Sequence, residues 1–183
     1  MEKDIGTVLQ LYPLGEHGLI VCWCTASHGI IRTAARNARK PGSELSGRID
    51  LFQECELVFR PATGGSDLHS LTGAELLNPR LPLRSQLLKL RLCSYMVRLL
   101  LATVEPGGGD GEWYRLMAGA LDYVAEQPAR RAILRHFEKR LAQLHGIYST
   151  DVPAHLCLLR HFQHLPTGRA ELLAQLPEKP AAN

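Results

Sequence analysis

The sequence predicts an α+β chain in which a small β-barrel or sandwich is followed by an all-α helical domain. Two observations lead to this class. The first third contains five short β-rich runs separated by turn residues, which is typical of a small barrel or sandwich. From about residue 83 onward, apolar residues recur at helical spacing instead. With 183 residues, 45% hydrophobic and 21% charged, the chain is long enough to build a core in each part.

The predicted strands are bounded by turn signals. The first is expected to close at Pro13, and the second is an apolar run that ends before the polar turn at Ser27. Turn residues 61–66 return the fourth run to a fifth, which alternates cleanly between apolar and polar side chains. The five predicted strands cover residues 7–12, 18–25, 30–36, 49–60 and 68–72.

A proline-containing break at residues 78–82 is the predicted domain junction, so the chain divides into 1–78 and 79–183. A helix is predicted over 83–104, before the glycine-rich connector 107–111. Further helices are predicted around 113–124, over 133–144 with Gly146 fitting its C-cap, from near Pro153 and, more weakly, over 169–176. The fourth is expected to be capped by Thr150 or Asp151. Its apolar positions are Leu156, Leu159, Phe162 and Leu165.

A basic cluster follows the third predicted strand. It consists of Arg32, Arg36, Arg39, Lys40 and Arg48, opposed within that stretch only by Glu44. On a small barrel such a cluster can follow a phosphate backbone and release counterions on binding. The alternative is a solvated loop, the usual role of a charge run. Aromatic residues available to stack on bases are few: Tyr12, Trp23, Phe52 and Phe59, with Trp23 expected in the core.

A second basic group lies on the third predicted helix, on the side away from Ile133, Phe137 and Leu141. Its members are Arg130, Arg131, Arg135, Lys139 and Arg140. This group either extends a DNA-binding surface or receives an acidic partner segment. The alternative is an ordinary solvated helix face.

Cysteine and histidine positions are interpreted as structural, with no metal expected. Five cysteines, an odd number, do not suggest a disulfide framework. Cys22 and Cys24 point to one face of a strand, but no second pair follows at zinc-finger spacing. A further group on the fourth helix has ligand-like spacing, yet surface histidines beside a packing face are the favoured interpretation; its members are His155, Cys157, His161 and His164.

Catalytic signatures are missing from the sequence, so no enzyme activity is expected. The connector 107–111 lacks the Lys-Ser/Thr ending of a phosphate-binding loop, and neither a nucleophile elbow nor a zinc-deaminase signature occurs. Glu54 and Glu56 share one strand face but have no evident acid–base partner. A polar start and the charges that interrupt residues 83–104 predict no leader and no membrane span, hence a cytoplasmic protein.

Four segments resemble the recombination mediator family RecO. LGEHGLIV at residues 14–21 is similar to its opening "GE…IV" segment, and the His28-Gly29 pair followed by RTAARNARKP at 32–41 resembles "HG…AKGARRP". Residues 51–58 resemble the next strand, and GSDLHSLTGAELL at 65–77 is similar to "GDLHTLTEAELL". Order and spacing agree over about residues 5–105, and more loosely as far as Gly146.

The resemblance implies an OB-fold followed by a helical domain, and a non-enzymatic role in recombinational DNA repair. It implies binding of single- and double-stranded DNA, annealing of complementary strands and recombinase loading with partner proteins. Those partners would be RecR and single-stranded-DNA-binding protein, whose acidic, hydrophobic-ended tail would meet Arg130, Arg131 and Arg135 beside Ile133 and Phe137. Many family members carry a four-cysteine zinc module after the segment matching Gly146. Here only Cys157 lies in that region, so no zinc module is expected.

A protein-interaction scaffold that has lost DNA binding is the competing hypothesis. Residues 1–75 contain seven basic and nine acidic side chains, so the barrel half is slightly acidic despite the overall charge of +3. Few aromatic residues are available for stacking. A salt-dependent DNA mobility shift distinguishes the two hypotheses.

Overall fold

The computed structural model describes residues 1–107, 109 and 111–178, so the predicted glycine connector lies partly outside the described residues. The described residues form five β-strands followed by five α-helices, which confirms the predicted α+β class. Among the described helices, none combines the length and apolar character needed to cross a membrane. The chain divides into two compact units. One is Met1–Arg80 with Glu105–Ala118, and the other is Leu81–Val104 with the chain from Gly119 onward.

The strands close into a barrel, which matches the OB-fold implied by the resemblance. Their bounds are β1 Glu2–Leu14, β2 Gly18–Thr25, β3 Gly29–Ala35, β4 Glu54–Arg60 and β5 Leu68–Asn78. The barrel order is β1-β2-β3-β5-β4, with β3 and β5 parallel and the other pairings antiparallel.

Two strands are longer than their hydrophobic patterns indicate. β1 starts at Glu2 and runs through Pro13, because its first residues pair with β4 and its last with β2. A register shift between Val8 and Gln10 changes the alternation of its side chains. β5 continues past Thr72 because it remains paired with β4 as far as Asn78. The fourth strand is shorter than predicted and begins at Glu54.

The barrel interior contains side chains from every strand. Trp23 is completely buried, and its Nε1 donates a hydrogen bond to Thr33 Oγ1 at 2.8 Å, which satisfies the indole inside the core. The segment between β3 and β4 also enters this core. Its apolar contributions are Ala38, Leu45 and Ile49.

The buried side chain of Arg80 links separate segments of the barrel through hydrogen bonds. The Arg80 side chain is 1% exposed and donates to Glu54 Oε1 at 3.1 Å, to the Phe52 carbonyl at 2.8 Å and to Thr7 Oγ1 at 3.2 Å. Tyr114 also donates to Glu54, at 2.7 Å. A buried ion pair requires such additional hydrogen bonds to offset its desolvation. Glu54 is therefore a structural carboxylate, and Glu56 is paired separately with Lys3 at 2.7 Å.

Gly107 and Gly111 bring the chain after residue 104 close to the backbone of the barrel. Gly107 N donates to Ile30 O at 2.8 Å. Gly111 has φ +80°, and a Cβ there would lie 2.6 Å from Ala26 O, so a larger residue would force the backbones apart.

The helices follow a short 3₁₀ turn at Leu81–Ser85. Their bounds are α1 Leu87–Thr103, α2 Glu112–Glu126, α3 Arg131–Leu144, α4 Ala154–Phe162 and α5 Arg169–Gln175. The predicted helix 83–104 is therefore interrupted, because Gln86 is extended with φ −141° and ψ 127°. The predicted cap of α4 was wrong: Pro153 occupies the N-cap position, and Leu165 lies beyond the helix end.

Among the described residues of the helical unit, the two buried charged side chains, Glu138 and Lys89, form an ion pair and a hydrogen bond respectively. Glu138 is 2% exposed and accepts two hydrogen bonds from Arg169, at 2.6 and 2.8 Å. Lys89 Nζ donates to Ala125 O at 2.7 Å. These contacts compensate the desolvation of charges on otherwise apolar helix faces.

Candidate nucleic-acid interface

A loop between β3 and β4 displays most of the predicted basic cluster. We call it the cationic loop. Its four basic side chains are all exposed, and within the described part of the chain none of the four forms an ion pair; they are Arg36, Arg39, Lys40 and Arg48. The residues that alternate with them explain this placement. Ala38, Leu45 and Ile49 turn into the barrel core, which directs the intervening charges toward solvent.

Backbone hydrogen bonds hold the cationic loop in successive turns. Arg39 N donates to His17 O at 2.9 Å, which links the loop to the turn between β1 and β2. Lys40 N bonds to Asn37 O at 2.9 Å, and Arg48 N bonds to Leu45 O at 3.2 Å. The charges are therefore presented on an anchored segment, so less conformational entropy is lost when a ligand binds.

Arg32 differs from the other members of the predicted cluster. It lies within β3, and its guanidinium donates to the Asp67 carboxylate. That hydrogen bond is the main reason that the pKa of Asp67 is lowered. The structure therefore places Arg32 on a strand and offsets its charge, whereas the four cationic-loop residues remain available.

Only one of the four candidate stacking aromatics is accessible. Trp23, Phe52 and Phe59 are buried, whereas Tyr12 is 46% exposed on β1. The burial of Trp23 was correctly predicted, whereas Tyr12 was not separated from the two phenylalanines. A closer signal was available, since Tyr12 precedes Pro13 at the hairpin end of a strand, where side chains are more often solvated.

The chemistry that this surface supports is recognition of a polyanion without reference to base identity. Arginine and lysine side chains neutralise phosphates and release condensed counterions, and such contacts position a nucleic acid without reading its sequence.

The arginines of α3 are engaged within the chain itself. Arg131 Nε donates to Leu173 O at 2.7 Å and to Leu176 O at 2.9 Å, carbonyls at the end of α5. Glu178 accepts from Arg131 at 3.0 Å and from Arg135 at 2.7 Å. Arg130 donates to the Tyr123 hydroxyl at 2.8 Å. Glu178, the intramolecular partner of this group, was not predicted from the sequence.

The apolar residues expected beside these arginines do not offer an open pocket. Ile133 is 7% exposed and Phe137 is 2% exposed, so both belong to the interior of the helical unit. A surface depression of about 590 Å³ lies nearby between α3, α4 and α5. Its polar rim includes Arg135, Lys139 and His155. The prediction that Ile133 and Phe137 form an apolar pocket for a partner was therefore wrong. Their helical spacing marks the side of α3 that packs into the interior of the helical unit.

Cysteine side chains are buried in both units. Burial raises the pKa of Cys22 to about 11 and that of Cys24 to about 12, so both remain thiols near neutral pH. On α4, Cys157 is buried and its Sγ lies 3.8 Å from Val152 O, whereas His161 is exposed. His164, predicted on the same helix, is also exposed but lies beyond the helix end at Phe162. Burial lowers the pKa of His155. Within the described residues, no group of three or more histidine, cysteine or acidic side chains is arranged to hold a metal ion.

Two family models match the chain in succession. The model described as Recombination protein O N terminal matches residues 1–80, and Recombination protein O C terminal matches residues 84–149. The first match covers the barrel strands and Arg80, and the second covers α1, α2 and α3.

Curated relatives named DNA repair protein RecO align with much of the chain. The protein of Cyanothece sp. is 31% identical over 131 residues, covering 72% of this chain and 44% of the relative. That of Burkholderia pseudomallei is 33% identical over 147 residues, covering 78% and 50%. That of Gloeobacter violaceus is 28% identical over 166 residues, covering 87% and 59%. The chain thus spans about half the length of the curated relatives it matches.

Proposed function

The chain belongs to the RecO family of DNA repair proteins, and from this premise we propose that it is a non-enzymatic, DNA-binding mediator of recombinational repair. It binds single- and double-stranded DNA and promotes the annealing of complementary strands. The observation that carries the proposal is the cationic loop, in which four exposed basic side chains are held in place by three apolar anchors in the barrel core.

The mechanism is electrostatic. Two complementary strands repel one another through their phosphates, and a cationic surface that binds both lowers this repulsion. Base pairing then provides the driving force, so the protein needs no covalent chemistry. Arg36, Arg39, Lys40 and Arg48 contact the backbone, and Arg32 joins them when its bond to Asp67 opens. Such contacts make binding strongly dependent on salt and tolerant of sequence.

Partner proteins complete the proposed role. By family membership these are RecR and a single-stranded-DNA-binding protein, with which the chain loads a recombinase onto DNA. The acidic tail of the latter binds the arginines of α3, where Glu178 already shows that a carboxylate fits between Arg131 and Arg135. The apolar end of the tail then needs a surface other than Ile133 and Phe137, because these are buried.

A protein-interaction scaffold without DNA binding is the second candidate. Residues 1–75 contain more acidic than basic side chains, and Asp67 offsets one of the five clustered cations. This candidate predicts that the protein binds a partner protein but forms no DNA complex at any salt concentration.

Annealing of complementary oligonucleotides tests the proposal. We expect the protein to accelerate duplex formation, and we expect a variant with Arg36, Arg39 and Lys40 changed to Glu to lose this acceleration. The matched control keeps the charges: Arg36→Lys, Arg39→Lys and Lys40→Arg should anneal nearly as well as the unmodified protein. Equal annealing rates with and without protein, together with no DNA shift at low salt, would contradict the proposal.

A further inference from the structure

Tyr12 is an exposed residue on the outer face of the barrel. Residues of β3, the strand that leads into the cationic loop, lie on the same face. In β1 and β2, Tyr12 pairs with Ile20, and in β2 and β3, Ile20 pairs with Ala34. Residues directly opposite one another in paired strands point to the same side of a sheet. Because Val21 and Ala35 point into the core, Tyr12, Ile20 and Ala34 form one row on the outer face.

Arginines lie to either side of this row. The neighbouring row on the same face contains Gln10, Cys22 and Arg32. In the opposite direction, Arg36 directly follows Ala35, the last residue of β3, and is exposed. With strands spaced about 4.8 Å apart, the backbone of Tyr12 lies about 10 Å from that of Ala34. One bound strand of nucleic acid can therefore contact the tyrosine and both arginines.

The Tyr12 side chain is restrained by a hydrogen bond but is not buried. Its hydroxyl donates to Gln10 Oε1 on the same face of β1, which restrains the side chain along the strand. The residue nevertheless remains 46% exposed, whereas Trp23, Phe52 and Phe59 are at most 5% exposed. A restrained aromatic ring beside cations is the combination that single-strand-binding barrels use to stack bases while gripping the backbone.

We propose that Tyr12 stacks on a base of single-stranded DNA, while Arg32 and Arg36 contact the adjacent phosphates. This inference rests on the proposed function, DNA binding by the barrel, and adds a residue that distinguishes single strands from duplex. In a duplex the base faces are covered by neighbouring base pairs, so the ring has no free π-face to contact. A single strand exposes its bases, and Tyr12 adds affinity for that form without selecting a sequence.

The experiment compares three DNAs of equal length: a single-stranded oligothymidine, an abasic single strand and a duplex. Affinities are measured by fluorescence anisotropy for the unmodified protein, Tyr12→Leu and Tyr12→Phe. Tyr123→Leu is the matched control, because Tyr123 on α2 is equally exposed at 45%. We expect Tyr12→Leu to weaken oligothymidine binding about tenfold and to leave abasic and duplex binding unchanged. Tyr12→Phe and Tyr123→Leu should bind all three DNAs as the unmodified protein does.

Unchanged abasic binding also shows that Tyr12→Leu is folded. Two results would overturn the role of Tyr12 while leaving the proposed function intact. One is full oligothymidine affinity in Tyr12→Leu while the variant with Arg36, Arg39 and Lys40 changed to Glu loses binding. The other is an equal loss on the abasic strand, which shows that bases are not contacted. If the unmodified protein binds none of the three DNAs, the proposed function fails and this inference fails with it.

Discussion

Arg32 donates a hydrogen bond to the carboxylate of Asp67, and both side chains lie on the outer surface of the barrel. Arg32 projects from β3, whereas Asp67 immediately precedes β5, the parallel neighbour of that strand. From the sequence, Arg32 was grouped with four other basic residues. In the structure it is paired with Asp67, which is 35 residues away in the chain. The pair is exposed, so it exchanges readily with a competing phosphate.

Asp67→Asn should strengthen single-stranded DNA binding because it removes a carboxylate that competes for Arg32. We expect a gain of a few fold and a steeper dependence of log K on log salt, by up to about 0.7 for one additional phosphate contact. Anisotropy titrations over a range of salt concentrations measure both. The comparison is made again in an Arg32→Gln background, where the gain should disappear. A gain of the same size in both backgrounds would point to net charge and not to this ion pair.

Changing Arg36, Arg39 and Lys40 to Glu should weaken single-stranded DNA binding and flatten its salt dependence. Loss of three phosphate contacts reduces the magnitude of the slope by about two. The anchors Ala38, Leu45 and Ile49 are untouched, so the thermal unfolding midpoint should remain close to that of the unmodified protein. A slope that does not change would remove these three residues from the interface.

Glu178→Gln should increase the affinity of the helical unit for an acidic peptide that ends in phenylalanine. Glu178 accepts hydrogen bonds from Arg135 and Arg131, which lower its pKa and keep it ionised between them. Removing its charge lets a peptide carboxylate take its place beside Arg135 and Arg131, while Arg131 Nε stays bonded to Leu173 O and Leu176 O. Isothermal titration measures the affinity, and Glu171→Gln, an exposed site on α5, is the matched control. If the two variants bind the peptide with the same affinity, Arg131 and Arg135 do not contribute to peptide binding.

Asp4 is expected to link barrel stability to acidic pH. Burial alone would raise its pKa, but hydrogen bonds from His28, Ser27 and Ile5 outweigh burial and lower the pKa. A carboxylate with a lowered pKa stabilises the folded state above its ordinary titration range, near pH 4. This stabilisation is lost as the pH falls through the lowered value.

Asp4→Asn should therefore reduce the free energy of unfolding by about 1–3 kcal/mol at neutral pH, since charge-assisted hydrogen bonds are lost. Below about pH 4 the difference from the unmodified protein should begin to shrink, and it should vanish once the pH is below the lowered pKa, where Asp4 is protonated in both states. Denaturant titrations at neutral and acidic pH measure this difference. Glu75→Gln, on the exposed surface of β5, should show little effect at either pH. A constant difference across this range would mean that Asp4 is not the group that titrates.

Local sequence patterns were sufficient for the strands and helices whose burial is regular. β2 has the predicted bounds because all its residues are buried or half-buried and its ends are marked by Gly18 and a polar turn. The start of β1 was missed because Lys3 and Asp4 read as polar. Each is satisfied through tertiary contacts, Lys3 with Glu56 and Asp4 with His28.

The sequence by itself determined the order of barrel and helices, the burial of Trp23 and the concentration of basic residues after the third strand. These properties depend on composition and on periodicity over neighbouring residues. Tertiary structure alone decided which charges remain available, because a charge is neutralised by whatever the fold brings next to it. Asp67 is adjacent to Arg32, and Glu178 to Arg131, only after strands and helices separated by dozens of residues have packed together. The exposure of Tyr12 was decided in the same way: residues 12, 52 and 59 are all aromatic, but the tertiary fold buries the latter two and leaves the first at the surface.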